Sequence, residues 1–524
     1  MKYTCIVFAI TLLSSCAQVV APTGGERDLT PPEILSVVPE NQSLNFNTAT
    51  FTLEFDEYVV LRRLKEQLLV SPPLKYSLES KTKGKSLSFT IKDTLKENTT
   101  YVFNFGNSIV DLNEGNPLSN FQYIFSTGPV IDSSSFSGKV IDAFELTAEK
   151  DALLLLYPST SIDSAVSKTL PSYVSRANEE GDFTFTNLAN DEYKLFSLVD
   201  KNDNFLYDRP DEKFGFLSKT VNVEDDTSKI KLFSFVLPDK KQFIEKQEVL
   251  ENNLELTFKL APKNVEFNLI DTTINNFIEL IEYDGNKIRI WYKKCTSTKL
   301  RVSITEANYS DTIRFTTVAV NDSAKLQLKE ELKRTQNYFE PITFLFNRPI
   351  NSIEKDSIRV LNADSNTVNF TVAIDTVNAK QALLKINQNS AESFLLQILP
   401  GSFRDLYGLE NDSISKVLSF NSSEDFGNLQ VKVKNMVAEN LILQLTDAKG
   451  TVLKEFFTTD TLYRFTNLKA ADYRLKLISD DNKNQKWDTG DYYNNQQAER
   501  VIIYDEVIGI RQNWDKEIIW IIKP

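Results

Sequence analysis

The chain has 524 residues, with 59 Lys and Arg against 72 Asp and Glu, which gives a formal net charge of −13. At about 150 residues per domain, this length predicts three to five domains. An acidic surface repels phosphate backbones, so nucleic acid is not an expected partner. The absence of histidine excludes Ser-His-Asp and Cys-His catalysis and His-ligated zinc. Carboxylate pairs and Ser-Lys systems stay open chemically, but no motif for either is present, and we expect a non-catalytic protein.

The N-terminal segment has the pattern of a secretory signal. Lys2 supplies a positive charge, Ile6–Leu13 is apolar, and Leu13-Ser14-Ser15-Cys16 ends the run. Spanning a bilayer takes about 20 apolar residues, so a retained transmembrane helix is not expected. The ending resembles the lipobox of bacterial lipoproteins. This resemblance implies that residues 1–15 are cleaved and that Cys16 receives a lipid; the alternative is an ordinary signal whose cysteine is incidental.

A lipid on Cys16 would anchor the protein to a membrane. Ala17 follows the cysteine, and the absence of Asp there agrees with outer-membrane sorting in the lipoprotein family. We therefore expect a lipid-anchored protein in the outer membrane of a Gram-negative bacterium, on either the periplasmic or the surface face. Residues 16–32 are rich in Pro and Gly and form a flexible tether. Cys295 is the other cysteine of the cleaved chain, so no disulfide within the chain is expected, and Cys295 is interpreted as a small buried hydrophobe.

Residues 33–128 alternate apolar and polar side chains, as in Phe51, Leu53 and Phe55, which predicts strands with one buried face. The stretches "TPPEILSVVPENQSLNF", "FTLEFDEYV" and "LKENTTYVFNFGNSIVDLNEGNPLSNFQYIFSTG" resemble the bacterial Ig-like domains of surface and S-layer-type proteins. The resemblance implies a β-sandwich that serves as a spacer or binding platform.

Residues 134–238 contain "FSGKVIDA", "RANEEGDFTFTNLANDEYKLFSLVD" and "KLFSFVLP". This series resembles the carboxypeptidase-regulatory-like, transthyretin-type sandwich. The resemblance implies a second non-catalytic module that stabilises or presents a neighbouring domain.

Residues 247–320 predict a further β-sandwich module, for which an Ig-like fold is one candidate. Asp284-Gly285-Asn286 predicts a hairpin turn within it. The polar stretch 321–337 is interpreted as a connector, with a short helix around Leu326–Leu332 as one option.

The last part of the chain repeats the first two modules. In residues 338–424, "FRDLYGLENDSISKVLSF" echoes "IVDLNEGNPLSNFQYIF"; in residues 425–524, "YRFTNLKAADYRLKLISD" matches "FTFTNLANDEYKLFSLVD". An internal repeat is the main organisational feature of this sequence. The fold class we predict is all-β, with tandem Ig-like and transthyretin-like sandwiches after a lipoprotein signal peptide.

Both copies of the second module carry oxygen-bearing side chains at positions 1, 3, 5, 9 and 12 of a loop. They are Asp200, Asn202, Asn204, Asp208 and Asp211 in the first loop and Asp480, Asn482, Asn484, Asp488 and Asp491 in the second. Hard oxygens at this spacing suit calcium, and the pattern resembles EF-hand loops. It departs from them at position 6, where Phe205 or Gln485 replaces glycine, and at position 12, where Asp replaces Glu. The alternative is a metal-free turn capped by Asp and Asn.

Trp487, Tyr492 and Tyr493 flank the second loop and suggest either a carbohydrate-stacking surface or a buried loop anchor. The function that the sequence predicts is a structural or binding scaffold of the cell envelope, with a protein or glycan partner. The alternative function is surface adhesion or glycan binding through sandwich loops. No cofactor is expected beyond the calcium hypothesis.

Overall fold

The structure is a computed structural model that describes residues 28–224, 230–239, 241–270, 277–293, 298–306, 309–318, 324–386, 393–435, 440–458 and 460–523. The predictions for Cys16, the signal peptide and Cys295 lie outside these residues. The fold is all-β, as predicted, with one four-residue helix, α1 (Leu64–Gln67). Short 3₁₀ turns occur at Asp163–Ser167, Lys355–Ser357, Ser423–Asp425 and Tyr492–Asn494. The chain divides into unit 1, Met1–Leu237 with Gly490–Ala498, and unit 2, Pro238–Thr489 with Glu499–Pro524.

Module 1 of unit 1 is a sandwich built from nine strands. They are β1 (Ile34–Val38), β2 (Thr50–Phe55), β3 (Val59–Leu61), β4 (Leu69–Ser71), β5 (Glu79–Lys83), β6 (Ser86–Thr90), β7 (Thr100–Asn104), β8 (Ile109–Asp111) and β9 (Gln122–Ser126). The sheet orders are β1-β2-β6-β5, β4-β7-β9 and β3-β8. The inward residues Phe51, Leu53 and Phe55 are buried, and Phe51 stacks on Tyr123 with ring centroids 4.3 Å apart. The period-two pattern therefore places an aromatic core between the sheets.

Module 2 of unit 1 is one long sheet that folds over its own core. Its strands are β10 (Ser134–Asp142), β11 (Leu153–Pro158), β12 (Tyr173–Arg176), β13 (Asp182–Leu188), β14 (Glu192–Leu198), β15 (Lys213–Phe216), β16 (Val221–Asn222) and β17 (Ile230–Val236). Their order is β12-β11-β14-β15-β17-β10-β13, and β16 pairs with β14. The apolar face includes Val140, Leu154, Phe183, Leu195 and Leu232, all buried.

Module 3 begins unit 2 and is a two-sheet sandwich. Its strands are β18 (Ile244–Leu250), β19 (Asn253–Phe258), β20 (Glu266–Leu269), β21 (Ile278–Asp284), β22 (Lys287–Tyr292), β23 (Lys299–Glu306) and β24 (Tyr309–Thr316). The sheet orders are β18-β19-β22-β21 and β20-β23-β24. The predicted hairpin is confirmed, because β21 and β22 pair across Gly285 (φ 59°).

Module 4 has the strands β25 (Thr335–Gln336), β26 (Ile342–Leu345), β27 (Ile350–Ile353), β28 (Ile358–Leu361), β29 (Phe370–Ile374), β30 (Gln381–Ile386), β31 (Ser393–Ile398), β32 (Phe403–Asp405) and β33 (Ile414–Phe420). The sheet orders are β25-β33-β31-β28, β26-β30-β29 and β27-β32. The three sheets of module 1 thus recur, since β2-β6-β5, β4-β7-β9 and β3-β8 correspond to β26-β30-β29, β28-β31-β33 and β27-β32.

Module 5 has the strands β34 (Phe426–Lys434), β35 (Leu441–Asp447), β36 (Val452–Thr458), β37 (Leu462–Lys469), β38 (Ala471–Ser479), β39 (Val501–Ile503), β40 (Ile508–Ile510) and β41 (Asp515–Ile521). The sheet orders are β37-β34-β41 and β36-β35-β38-β39, and β40 pairs with β38. As β10 does in module 2, β34 pairs antiparallel with one strand and parallel with the last strand of its module. The copies differ at one ladder: β15 pairs with β17, whereas β41 is bonded only to β34 among the described strands.

The short helix given as one option around Leu326–Leu332 is wrong. The described segment contains no helix; Leu326 and Leu328 instead form single bridges with Asn411 and Phe346. Leu326 and Leu332 are buried in the core of module 4. The segment is rich in Leu, Lys and Glu, which favour helix locally, but the neighbouring sandwich offers the leucines a core, and this packing overrides the local helical preference.

The core of module 1 yields a stability prediction. Phe89 is fully buried, and Phe89→Ala should lower the free energy of unfolding by about 3–5 kcal/mol because it removes a ring and leaves a cavity. The exposed Tyr76 of the same module is the control, and Tyr76→Ala should change it by less than about 0.5 kcal/mol. Urea denaturation of the full chain measures both, and equal effects would contradict the assignment of this core.

Candidate functional site

The candidate site is a pair of equivalent loops, each of which follows the central strand of its module. The first leaves β14 at Asp200, and the second leaves β38 at Asp480. In both loops the aspartate at position 1 turns its carboxylate inward onto backbone N–H groups. Phe205 N donates to Asp200 Oδ2 at 2.7 Å, and Gln485 N donates to Asp480 Oδ2 at 3.1 Å. The first residue thus organises each turn as a backbone acceptor.

The two loops also share an uncommon backbone conformation. Positions 4 and 6 are left-handed in both, with φ of 57° and 61° at Asp203 and Phe205 and of 64° and 63° at Lys483 and Gln485. Position 6 is where EF-hand loops require glycine for the same sharp turn. The sequence departure at that position therefore does not change the path of the backbone, although each non-glycine residue there carries strain.

The side chains at positions 3, 5 and 9 meet in each loop. The amides of Asn202 and Asn204 donate to Asp208 at 3.1 and 2.6 Å. In the second loop the amide of Asn484 donates to Asp488 at 2.6 Å, and that of Asn482 also contacts this carboxylate. The structure therefore brings together the residues predicted at positions 1 to 9.

The residues predicted at position 12 behave differently in the two loops. Asp211 bonds to Lys201 Nζ at 2.9 Å and to Arg209 Nε at 3.1 Å, and these cations lower the pKa of Asp211 to about 2. Asp491 belongs to unit 1, where it caps the Tyr492–Asn494 turn through Tyr493 N. Asp211 is thus paired with cations of its own loop, and Asp491 caps a turn of unit 1.

A buried glutamate closes each loop, and the sequence analysis missed both. Glu212 is fully buried and accepts from the backbone N–H groups of Lys201, Asp208 and Arg209 at 3.1 to 3.3 Å. Glu499 accepts from Asp481 N and Asp488 N, both at 2.8 Å, and burial raises its pKa. The sequence contained a usable clue, because both glutamates lie just before the strand that follows the loop, β15 or β39.

The glutamates also show why the same position number in the two loops does not mark equivalent residues at position 12. Glu212 lies 12 residues after Asp200, whereas Glu499 lies 19 residues after Asp480. The difference arises because residues 489–498 contain an insertion relative to the first copy. Asp491 lies in this insertion and is not the structural counterpart of Asp211.

The aromatic residues predicted beside the second loop differ in exposure. Trp487 is half-buried, and its Nε1 donates to Glu499 O at 3.0 Å. Tyr492 is half-buried in unit 1 against Phe214 and Phe216, with ring centroids 5.4 and 5.2 Å apart, whereas Tyr493 is exposed. These positions correspond to the loop-anchor alternative for Trp487.

No group of three or more Cys, Asp or Glu side chains is positioned to hold a metal ion within the described parts of the chain. Each loop combines two asparagines with the aspartates at positions 1 and 9, and a buried glutamate closes it. An asparagine amide carries an NH₂ donor on one side and an acceptor oxygen on the other, so a half-turn of the amide replaces the donor by the acceptor. The same loop can therefore hold itself together by hydrogen bonds or present up to four oxygens to a cation.

A family model described as the bacterial Ig-like domain matches residues 28–127. This segment is therefore similar to bacterial Ig-like domains. The match covers module 1 and confirms the resemblance found for residues 33–128. The transthyretin-type resemblance of modules 2 and 5 stays a prediction. A search of curated proteins with the whole chain finds no match.

Several solved structures are similar to this chain at low sequence identity. The surface layer protein SbsC, domains 1-6, is 10% identical over 86% of this chain and 65% of that one, with a TM-score of 0.14. BcpA, the major pilin subunit of Bacillus cereus, is 10% identical over 74% and 99%, with a TM-score of 0.14. An alpha-2-macroglobulin fragment from Escherichia coli is 12% identical over 51% and 97%, with a TM-score of 0.19.

The chain thus spans slightly less than two thirds of the SbsC structure. Among the helices in the described ranges, none is long and apolar enough to cross a bilayer.

The buried glutamate yields a prediction about the first loop. Glu212→Ala removes the acceptor of three backbone donors, each of which costs about 1–3 kcal/mol if it stays buried without a partner. We expect the loop to open, so that chymotrypsin cleaves after Phe205 faster than in the wild type.

Asp211→Ala is the matched control, because Asp211 is an exposed acid of the same loop that bonds only to side chains in the contacts described above. It should leave the cleavage rate near that of the wild type. Cleavage that is equally fast in both variants would show that Glu212 does not hold the loop closed.

Proposed function

We propose that the protein is a non-catalytic lipoprotein of the cell envelope, anchored through Cys16 in the outer membrane of a Gram-negative bacterium. Its modules would act there as a structural or binding scaffold. The observation that carries the proposal is the order of the chain: a short apolar segment that ends in Cys16, then a tether, then hydrophobic clusters that each lie under their own sheets. Such an order holds folded modules at a distance from a membrane.

The state of the acidic loops supports a non-catalytic role. A carboxylate that acts as a general acid or base must be free to reach a substrate. Glu212 and Glu499 are bonded to the backbone, and Asp208 and Asp488 are bonded to neighbouring asparagines. The family model that matches residues 28–127 describes an Ig-like domain, and the sequence analysis interprets such a module as a spacer or binding platform.

The lipid anchor yields a direct prediction. The wild-type protein, expressed in a Gram-negative host, should incorporate a radiolabelled fatty acid and partition into Triton X-114 detergent. Cys16→Ser should lose the label and move to the aqueous phase, since the thiol is the only proposed attachment point. Cys295→Ser is the control and should behave as the wild type. A labelled Cys16→Ser protein would refute the anchor.

We propose, as a second function, that the paired loops bind calcium weakly. The shared left-handed positions 4 and 6 support this, because they give both loops the tight turn that lets alternate side chains converge. The ligands would be Asp200, Asn202, Asn204 and Asp208 in one loop and Asp480, Asn482, Asn484 and Asp488 in the other. Asp211 and Asp491 are supported less, since their described contacts lie elsewhere.

Calcium should raise the unfolding temperature of the full chain. At a free calcium concentration 100 times the Kd, linkage stabilises the folded state by about 2.7 kcal/mol per site. The comparison is 1 mM calcium against chelator, with magnesium as the ionic control.

The combined variant Asp208→Ala and Asp488→Ala should lose the calcium-dependent shift, whereas Asp211→Ala should keep it. The same midpoint with calcium and with chelator in the wild type would contradict calcium binding.

A further inference from the structure

Within unit 2, modules 3 and 4 meet at a surface made mainly of polar and charged groups. The turn between β18 and β19 carries Asn252, which is fully buried with φ 49°. Tyr407 of module 4 reaches this turn, and its hydroxyl contacts the main-chain oxygens of Tyr292 at 2.9 Å and Asn252 at 3.2 Å. A hydroxyl that meets two backbone carbonyls is specific in position, because backbone atoms cannot rearrange as side chains do.

Two ion pairs cross the same surface. Arg348 of module 4 bonds to Glu251 at 2.5 Å, and the arginine side chain is only 8% exposed. Lys380 of module 4 bonds to Glu282 at 2.6 Å, with side-chain exposures of 11% and 15%. These pairs differ from the surface ion pairs of the chain, since three of their four partners are largely removed from water.

Side chains of module 3 surround the ammonium group of Lys380. Trp291 lies under its ammonium at 5.4 Å from the ring centroid, and the indole Nε1 donates to Glu282 at 2.9 Å. Arg289 approaches the same carboxylate at 3.7 Å. Burial lowers the pKa of Lys380, while Glu282 raises it. Glu282 is therefore fixed by its own module before Lys380 meets it.

The polar character of this surface indicates what it does. Apolar residues of similar volume would hold two modules together at least as well, because buried ion pairs recover little more than their desolvation cost. The surface even leaves Arg348 Nη1 and Asp405 Oδ2 buried with no hydrogen bond to the described protein. Buried charges make the contact depend on how the two modules are oriented. A module that shifts out of register leaves a buried charge without its partner, which is unfavourable.

The neighbouring joint between modules 4 and 5 is built differently. There Phe339 packs against Phe426 with ring centroids 5.1 Å apart, and Tyr338 donates to Asn467 at 2.8 Å. Aromatic packing tolerates small rotations better than paired charges do.

We propose that Glu251, Asn252 and Glu282 of module 3 form a docking surface for Arg348, Lys380 and Tyr407 of module 4, and that this surface fixes the two modules in one orientation. The occupant is the neighbouring module of the same chain. The pair then behaves as a single rigid element of the protein.

The test is the distance between spin labels on the two modules, measured by double electron–electron resonance on the full chain. Asp284→Cys and Asp364→Cys supply exposed labelling sites in modules 3 and 4, with Cys5, Cys16 and Cys295 replaced by serine. The wild-type surface should give one narrow distance distribution. The double variant Arg348→Met and Lys380→Met should give a distribution at least twice as wide.

Two controls separate loss of docking from loss of folding. Arg404→Met breaks an exposed ion pair inside module 4 and should leave the distribution narrow. A label pair inside module 4, at Asp364→Cys and Ser413→Cys, should give the same distance in every variant if the module stays folded. A wild-type distribution as broad as that of the double variant, or a double variant as narrow as the wild type, would overturn the proposal.

Discussion

The structure depends on one constraint, which is that each sheet must bury at least one of its two faces. Short strands with alternating side chains can satisfy this only in thin sandwiches, so the apolar residues are divided among several small cores. Phe51, Phe183, Leu256, Phe344 and Leu443 each lie in a different hydrophobic cluster. Small cores leave little stability to spare, and this explains why buried polar anchors such as Glu212 matter at the loops.

The sequence predicted the fold well where periodicity and repetition acted together. Alternation located several strands of module 1, and the repeated motifs predicted two pairs of modules, whose strand orders match in the structure except at β1 and β25 and at the β15–β17 ladder. The polar composition of residues 321–337 was less informative, because it gave no sign that Leu326 and Leu332 are core residues. These apolar side chains lie in extended chain, and nothing local in the sequence shows that a sandwich formed mostly by later residues would take them as core.

The candidate site was predicted in part for a physical reason. Positions 1 to 9 of each loop are set by local turn chemistry, so equal spacing in the two copies corresponds to equal structure. Glu212 and Glu499 were missed because the residue that closes a loop is set by the returning strand, and an insertion changes its distance along the sequence. The docking surface of modules 3 and 4 could not be predicted from the sequence either. Its paired residues are about 100 positions apart, and neither Glu251 nor Lys380 lies in a recognisable motif.

The account joins these features into one description: a chain of small sandwiches, stabilised locally by buried anchors, of which two adjacent modules are fixed by paired charges. Its central claim is that the hydrophobic clusters are separate cores. Single-molecule pulling on the full chain tests this most directly. We predict five unfolding events, each of which lengthens the chain by roughly 30 nm, since a core of about 80–100 residues extends by about 0.36 nm per residue. One or two large events that release several modules together would contradict it.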